Sequence, residues 1–195
     1  MMSKRDRLFH LIREKALKRG EFILSSGKRS SYYLDLRAIT LDPEGSFLAA
    51  SLILEKLSKE NLKVDAIGGP TLGADPIVGA VLALSYNQRK PLRGFIVRKE
   101  RKKYGTKNLI EGSLNAGDKV LVIDDVATTG ASLLKAIKEV ENFGCKILET
   151  WVIVDREEGA KDKLKAEGYS LFSFYTMSEF LNDLNINIQN SKNIY

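Results

Sequence analysis

The chain has 195 residues, 44% of them hydrophobic and 29% charged, with a net charge of +6. These proportions describe one globular domain and exclude wholesale disorder. No stretch reaches the ~18–20 apolar residues a membrane helix needs. One cysteine, Cys145, and one histidine, His10, leave no material for a disulfide framework, a cysteine metal cage or a His-rich metal site.

The N-terminus, MMSKRDRLFH, has no apolar stretch behind its charges, so a secretory signal is not expected and the expected compartment is the cytoplasm. Ser3 with Asp6 has capping-box spacing, and Leu8, Leu11, Ile12 and Ala16 recur at helical spacing up to a stop at Gly20. Phe22-Ile23-Leu24 and Tyr32-Tyr33-Leu34, separated by a Ser-Ser-Gly turn, predict a hairpin-like piece. Asp42-Pro43 predicts a capped helix running to about Lys59. Strands and helices then alternate. Val64–Gly68 is a strand, Asp75-Pro76 caps a helix through Leu84, and Gly94–Val97 is a strand leading into a basic segment. Lys119–Ile123 is apolar on both faces and predicts a central parallel strand. Ser132–Phe143 is a helix ended by Gly144, Ile147–Val154 a buried strand, and Glu157–Glu167 a helix ended by Gly168. A strand at Leu171–Phe174, a short helix near Glu179 and a frayed Asn-rich tail from Asn185 complete the chain. His10 reads as a surface or boundary residue, Cys145 as a small buried residue, and Trp151 as core or interface packing.

This rhythm predicts an α/β fold with a mainly parallel sheet covered on both faces and ligands at the carboxyl ends of its strands. Two segments belong at that end. Residues 98–107, RKERKKYGTK, hold six basic residues and one acid, so all but one of the net +6 sits there. Such a local cluster suits a compact anion such as pyrophosphate. A nucleic-acid surface would spread its cations over a stripe. The second segment, VLVIDDVATTGAS at 120–132, ends an apolar strand in Asp124 and Asp125 and then offers Ala127, Thr128, Thr129 and Gly130 before a helix. Successive N–H groups and the helix start form a nest for a phosphate. It is neither a Walker A loop nor GxGxxG. Acids beside a phosphate nest make sense for a ligand that carries ribose hydroxyls next to its phosphate. Arg156 ends a third buried strand, where it can pair with a ligand carboxylate or with Asp155 or Glu157; by residue type alone the two readings are even.

IDDVATTGAS resembles the phosphoribosyl-diphosphate (PRPP) motif of the type I phosphoribosyltransferases. RKERKKYG at 98–105 is similar to the RKxxKxHG mobile loop of the orotate phosphoribosyltransferases. LSSGKRSSYYLDLR at 24–37 resembles that family's SG-x-x-S-x-Y segment, and GGPTLGADPI at 68–77 its pyrophosphate-side loop. The matches run in family order from about residue 20 to 160. The resemblance implies one phosphoribosyltransferase domain over 1–195, with an N-terminal helix and hood at about 1–40 and a core at about 60–175. It implies transfer of the phosphoribosyl group from PRPP to N1 of orotate, with Asp124 and Asp125 on the ribose hydroxyls and Val126, Ala127, Thr128, Thr129, Gly130, Ala131 and Ser132 around the 5′-phosphate. Arg98, Lys99, Lys102 and Tyr104 would meet pyrophosphate. Lys99, Lys102, Asp124 and Asp125 would carry the catalysis. Thr128 and Arg156 would bind orotate, with Tyr33 and Leu34 near its ring. The resemblance also implies Mg²⁺ held mainly by PRPP and water, with no direct protein ligand, and a homodimer whose mobile loop reaches the neighbouring site. No nucleic-acid or membrane partner is implied.

Two positions depart from the family pattern. Tyr104 replaces a histidine, so a charged or proton-transferring role there is not supported, and Ser25 replaces a lysine, with Lys28 and Arg29 just beyond. A purine phosphoribosyltransferase would have no use for a carboxylate-binding Arg156. A PRPP-sensing regulator without turnover would carry a nucleic-acid-binding module, of which the sequence shows no sign.

Overall fold

The computed structural model describes residues 2–23, 29–100 and 109–183. The Ser3 hydroxyl accepts the Asp6 N–H and opens α1 (Lys4–Leu11). A π-helical turn, Ile12–Ala16, leads straight into β1 (Leu17–Ile23). The expected helix stop, Gly20, therefore lies inside β1, where the pairing register shifts between Arg19 and Phe22. The strand starts early because Leu17, Lys18 and Arg19 find partners in Leu34, Tyr33 and Tyr32 of β2 (Arg29–Leu34), and such pairing overrides the modest helix propensity of Lys and Arg. A one-turn helix, α2 (Arg37–Thr40), was not anticipated. The next helix, α3 (Pro43–Lys59), matches its reading, with the Asp42 carboxylate accepting the Glu44 and Gly45 N–H groups at 3.0 and 2.9 Å.

The body follows as β3 (Ala66–Pro70), α4 (Ala74–Asn87), β4 (Arg93–Val97) and β5 (Ile110–Gly112). Then come β6 (Lys119–Ala127), α5 (Ala131–Asn142), β7 (Lys146–Asp155), α6 (Ala160–Ala166) and β8 (Phe172–Thr176). Residues 177–183 are helical, and the tail expected from Asn185 lies outside the described residues. Asp75 does not cap α4. The helix begins one residue earlier, at Ala74, behind Gly73, which makes no side-chain cap, and places Asp75 in the first turn. The helix α6 starts later than expected because Glu157 and Gly159 adopt left-handed backbone, φ +60° and +99°. The edge strand β5, only three residues long, carried no periodic signal.

The main sheet has the order β5-β4-β3-β6-β7-β8, parallel throughout except for the antiparallel edge strand β5. Alternation along β6 sends Val120 and Val122 to one face, against Leu133 and Ile137 of α5 and Leu164 of α6. Leu121 and Ile123 go to the other, against Leu8, Ile53 and Ile77 from α1, α3 and α4. This is why the strand is apolar on both faces. Trp151 on β7 is fully buried, edge-on to Phe172 and Phe174 at 5.8 and 6.2 Å. Its removal leaves a large cavity, so Trp151→Ala is expected to cost about 3–5 kcal/mol, read as a lowered urea midpoint; an unchanged midpoint would contradict the packing role.

From β3 the chain runs outward to β4 and β5, whereas from β6 it runs the other way to β7 and β8. The loops after β3 and β6 thus part company between two hydrogen-bonded strands, the topological switch point where open α/β sheets bind ligands.

Candidate active site

The strand β6 does not end before its acids. Asp124 is opposite Val152, and Ala127 opposite Asp155, so both carboxylates are built into the central ladder. Asp124 is only 7% exposed. Its Oδ1 accepts the Asp125 N–H at 3.0 Å, and Asp125 Oδ1 accepts the Val126 N–H at 2.7 Å. The loop after β3 presses on the pair, because a Cβ on Gly73 would collide with Oδ1 of both aspartates. Burial, then the neighbouring Asp125, push the Asp124 carboxyl well above the usual carboxylate range. Burial also raises Asp125, and Asp35 adds to the effect. Among the described residues no cation pairs with either acid. Two adjacent carboxylates, one buried and one half-buried, with free acceptor capacity call for hydroxyl donors or a cation from a ligand.

Beyond Ala127 the chain turns through Gly130, whose φ of +74° is left-handed, and enters α5 with no side-chain cap. An added Cβ there would also meet Leu164 Cδ1 at 2.7 Å, so glycine satisfies both the turn and the packing of α6. Residues 126–133 and Asp124 enclose a cavity of about 90 Å³, the scale of a phosphate group. Thr128 is half-buried on its wall, and Thr129 and Ser132 are exposed at its rim. The uncapped N–H groups of α5 and the helix dipole favour an anion in this nest.

Arg98 follows β4, its N–H donating to Leu109 O at 2.8 Å and its Nη1 3.8 Å from Glu111. Its Nε is buried without a partner. The Lys99 carbonyl accepts from Lys135 Nζ at 2.6 Å, which ties the start of the basic segment to α5. Arg98, Lys99, Lys135 and Ser132 border a second cavity of about 320 Å³, which shares Ala131 and Ser132 with the nest. Lys102 and Tyr104 lie outside the described residues, as do Ser25 and Lys28.

Arg156 leaves β7 beside the nest, its N–H donating to Ala127 O at 2.9 Å. Its side chain is 10% exposed, with Nη2 2.8 Å from Glu158 and Cζ 5.6 Å above the Tyr32 ring. Its Nε has no partner. The candidate partners read from the sequence are engaged elsewhere: Asp155 accepts the Glu157 N–H at 2.9 Å, and the Glu157 carboxylate accepts the Ser178 N–H at 2.8 Å. The two residues expected near the nucleobase, Tyr33 and Leu34, follow directly in the chain on Tyr32, whose ring meets Arg156. Leu34 is 7% exposed within the core, and Tyr33 packs against Phe22 at 5.6 Å. The aromatic ring beside Arg156 belongs to Tyr32, since strand alternation turns Tyr32 and Leu34 toward the body and Tyr33 away. The apolar Leu34 two positions on was the signal that could have selected Tyr32. Gly73 falls in the 68–77 loop segment, but only the tertiary approach of that loop shows its contact with the acids.

A model of the phosphoribosyl transferase domain matches residues 38–185. The orotate phosphoribosyltransferase of Aquifex aeolicus is 44% identical over 184 residues, covering 93% of this chain and all of that one. The orotate phosphoribosyltransferase of Methanocaldococcus jannaschii is 45% identical over 179 residues, covering 91% and 97%. Among solved structures, the Mycobacterium tuberculosis orotate phosphoribosyltransferase in complex with PRPP superposes with a TM-score of 0.77 at 34% identity, covering 91% of this chain and 99% of that one. With a family model spanning most of its length, relatives of this identity, and the strand-borne acids and phosphate-sized nest at the switch point, the chain belongs to the orotate phosphoribosyltransferase family of type I phosphoribosyltransferases.

Proposed function

We propose that the chain transfers the 5-phosphoribosyl group from PRPP to N1 of orotate, releasing pyrophosphate and orotidine 5′-monophosphate for pyrimidine synthesis. One observation carries this reading: the carboxylates of buried Asp124 and half-buried Asp125 in β6, with no cation partner among the described residues, and the phosphate-sized nest after them stand beside an arginine with an unsatisfied donor just past β7. The ribose hydroxyls of PRPP donate to Asp124 and Asp125. Its 5′-phosphate sits among the N–H groups of 126–132. Arg156 and Thr128 hold the orotate carboxylate and ring edge, so N1 faces the anomeric carbon. As the C–O bond to pyrophosphate breaks, negative charge grows on the leaving group. Arg98 and Lys99, with Lys102 and Tyr104 from the same segment, supply donors where that charge develops. Holding both reactants in line lowers the entropic part of the barrier.

Mg²⁺ fits this site in one way. No group of three His, Cys, Asp or Glu side chains able to hold a metal exists among the described residues. We propose that the ion is held mainly by PRPP and water, and that Asp124 and Asp125 are the acids that would face it. When bound it offsets charge on the leaving pyrophosphate. We place the enzyme in the cytoplasm as a single domain, residues 1–40 forming its hood. No described helix is long and apolar enough to cross a membrane. We also propose a homodimer that shares the 98–107 segment between sites. Activity recovered by mixing Lys102→Ala and Arg156→Ala chains supports sharing, and no recovery contradicts it.

The decisive assay is loss of orotate absorbance with PRPP and Mg²⁺, with uracil and adenine as controls. PRPP-dependent loss of orotate alone is expected, and no loss overturns the reading. A further expectation concerns the loop after β3. Gly73→Ala forces the aspartate pair aside and is expected to raise the KM for PRPP about tenfold, the effect of roughly one displaced charge-assisted hydrogen bond. An unchanged KM would mean that the loop yields instead.

A further inference from the structure

We propose that Glu158 is a positioning residue that sets the Arg156 guanidinium for a planar carboxylate and thereby tunes affinity for the nucleobase substrate. The inference rests on orotate being that substrate. Arg156 is nine-tenths buried, yet its Nε has no partner among the described residues. A buried guanidinium needs an anion. Glu158, 2.8 Å from Nη2, supplies one without saturating it. Of the five N–H donors, the one at Nε stays available among the described residues. The Tyr32 ring lies 5.6 Å from Cζ and restricts the plane in which the group can lie.

The backbone explains how Glu158 reaches back to a residue two positions earlier. Asp155 accepts the Glu157 N–H, Glu157 takes left-handed φ of +60°, and its carboxylate accepts the Ser178 N–H. This turn is pinned at both ends and delivers the Glu158 carboxylate to one edge of the guanidinium. An ordinary surface ion pair contributes little. Here one partner is buried and the other is delivered by a fixed turn. The consequence is a flexible four-carbon side chain held before substrate arrives, so less ordering entropy is lost on binding.

The test is steady-state kinetics of Glu158→Ala and Glu158→Gln with orotate and PRPP varied separately. Glu158→Ala is expected to raise the KM for orotate about tenfold, leaving kcat and the KM for PRPP within about twofold. Glu158→Gln, which keeps an acceptor oxygen but not the charge, is expected to recover only part of the loss. In an Arg156→Ala background, adding Glu158→Ala should leave the KM for orotate unchanged, because the residue acts only through the arginine. An unchanged KM for orotate in Glu158→Ala overturns the proposal while leaving the substrate assignment intact, and so does a parallel rise in the KM for PRPP. A wild-type enzyme that does not consume orotate overturns both.

Discussion

Asp124→Asn is expected to lower kcat/KM for PRPP by about 10²–10³, the effect of losing two hydrogen bonds to a charged acceptor, and at the same time to raise Tm. The two outcomes share one cause. Asp124 is buried beside Asp125 and held well above the usual carboxylate range. Between the ordinary carboxylate pKa of the unfolded chain and that raised value, the folded state binds the more protons. Stability is therefore fully present at low pH and declines as pH rises through the raised value. An amide cannot ionise, so the variant loses this decline, and its Tm gain grows across that interval and is full above the raised value. PRPP binding has the opposite dependence, since only ionised acids accept the ribose hydroxyls at full strength. The wild-type kcat/KM for PRPP should rise with pH over the same interval. Asp125→Asn is expected to show a similar kinetic loss and also a gain in Tm, because burial raises its carboxyl too. Unchanged kinetics in both variants would remove the ribose-hydroxyl role. A Tm gain that is the same at every pH would remove the electrostatic account. Stability traded for function in this way is common where a site gathers charge for a ligand.

Arg156→Ala should raise the KM for orotate by about 100-fold or more, because a desolvated carboxylate then has no partner. The KM for PRPP should stay near wild type, since the nest of 126–132 does not depend on the guanidinium. Arg156→Lys should rescue poorly. A lysine ammonium is a point charge that cannot present two parallel donors to a carboxylate or lie flat along the Tyr32 ring. Measuring the KM for each substrate in the two variants separates the roles. Efficient rescue by lysine would mean that charge alone, without planar geometry, selects orotate.

The element order was legible because burial imposes periodicity. Val120 to Ile123 are apolar without alternation because helices cover both sheet faces, and α5 shows its apolar stripe because only one side meets the sheet. The nest was legible for a local reason: a glycine at φ +74° between a strand and a helix leaves a short contiguous signal. Element ends were less legible. The apolar run of β6 stops at Ile123 and places the acids at the strand's end, yet pairing with Val154 and Asp155 carries the strand on to Ala127. Asp75-Pro76 looked like a cap, but the turn after Pro70 starts the helix at Ala74 and leaves Asp75 Oδ1 buried without a partner.

What the sequence determined by itself was the local chemistry: the acids followed by a phosphate nest, the clustered cations, and an arginine at the end of a buried strand. Each is a contiguous run whose meaning depends on neighbours in the chain. What only the tertiary structure decided was which distant groups share that space. Gly73 against the two aspartates, Tyr32 rather than Tyr33 beside Arg156, and Glu158 rather than Asp155 as its partner all follow from strand pairing and one left-handed turn at Glu157. The physical reason is that hydrogen bonds form only within a few ångströms and ion pairs between exposed charges are screened beyond about 8–10 Å. The chain arrives at those distances only after non-local pairing has set register and face.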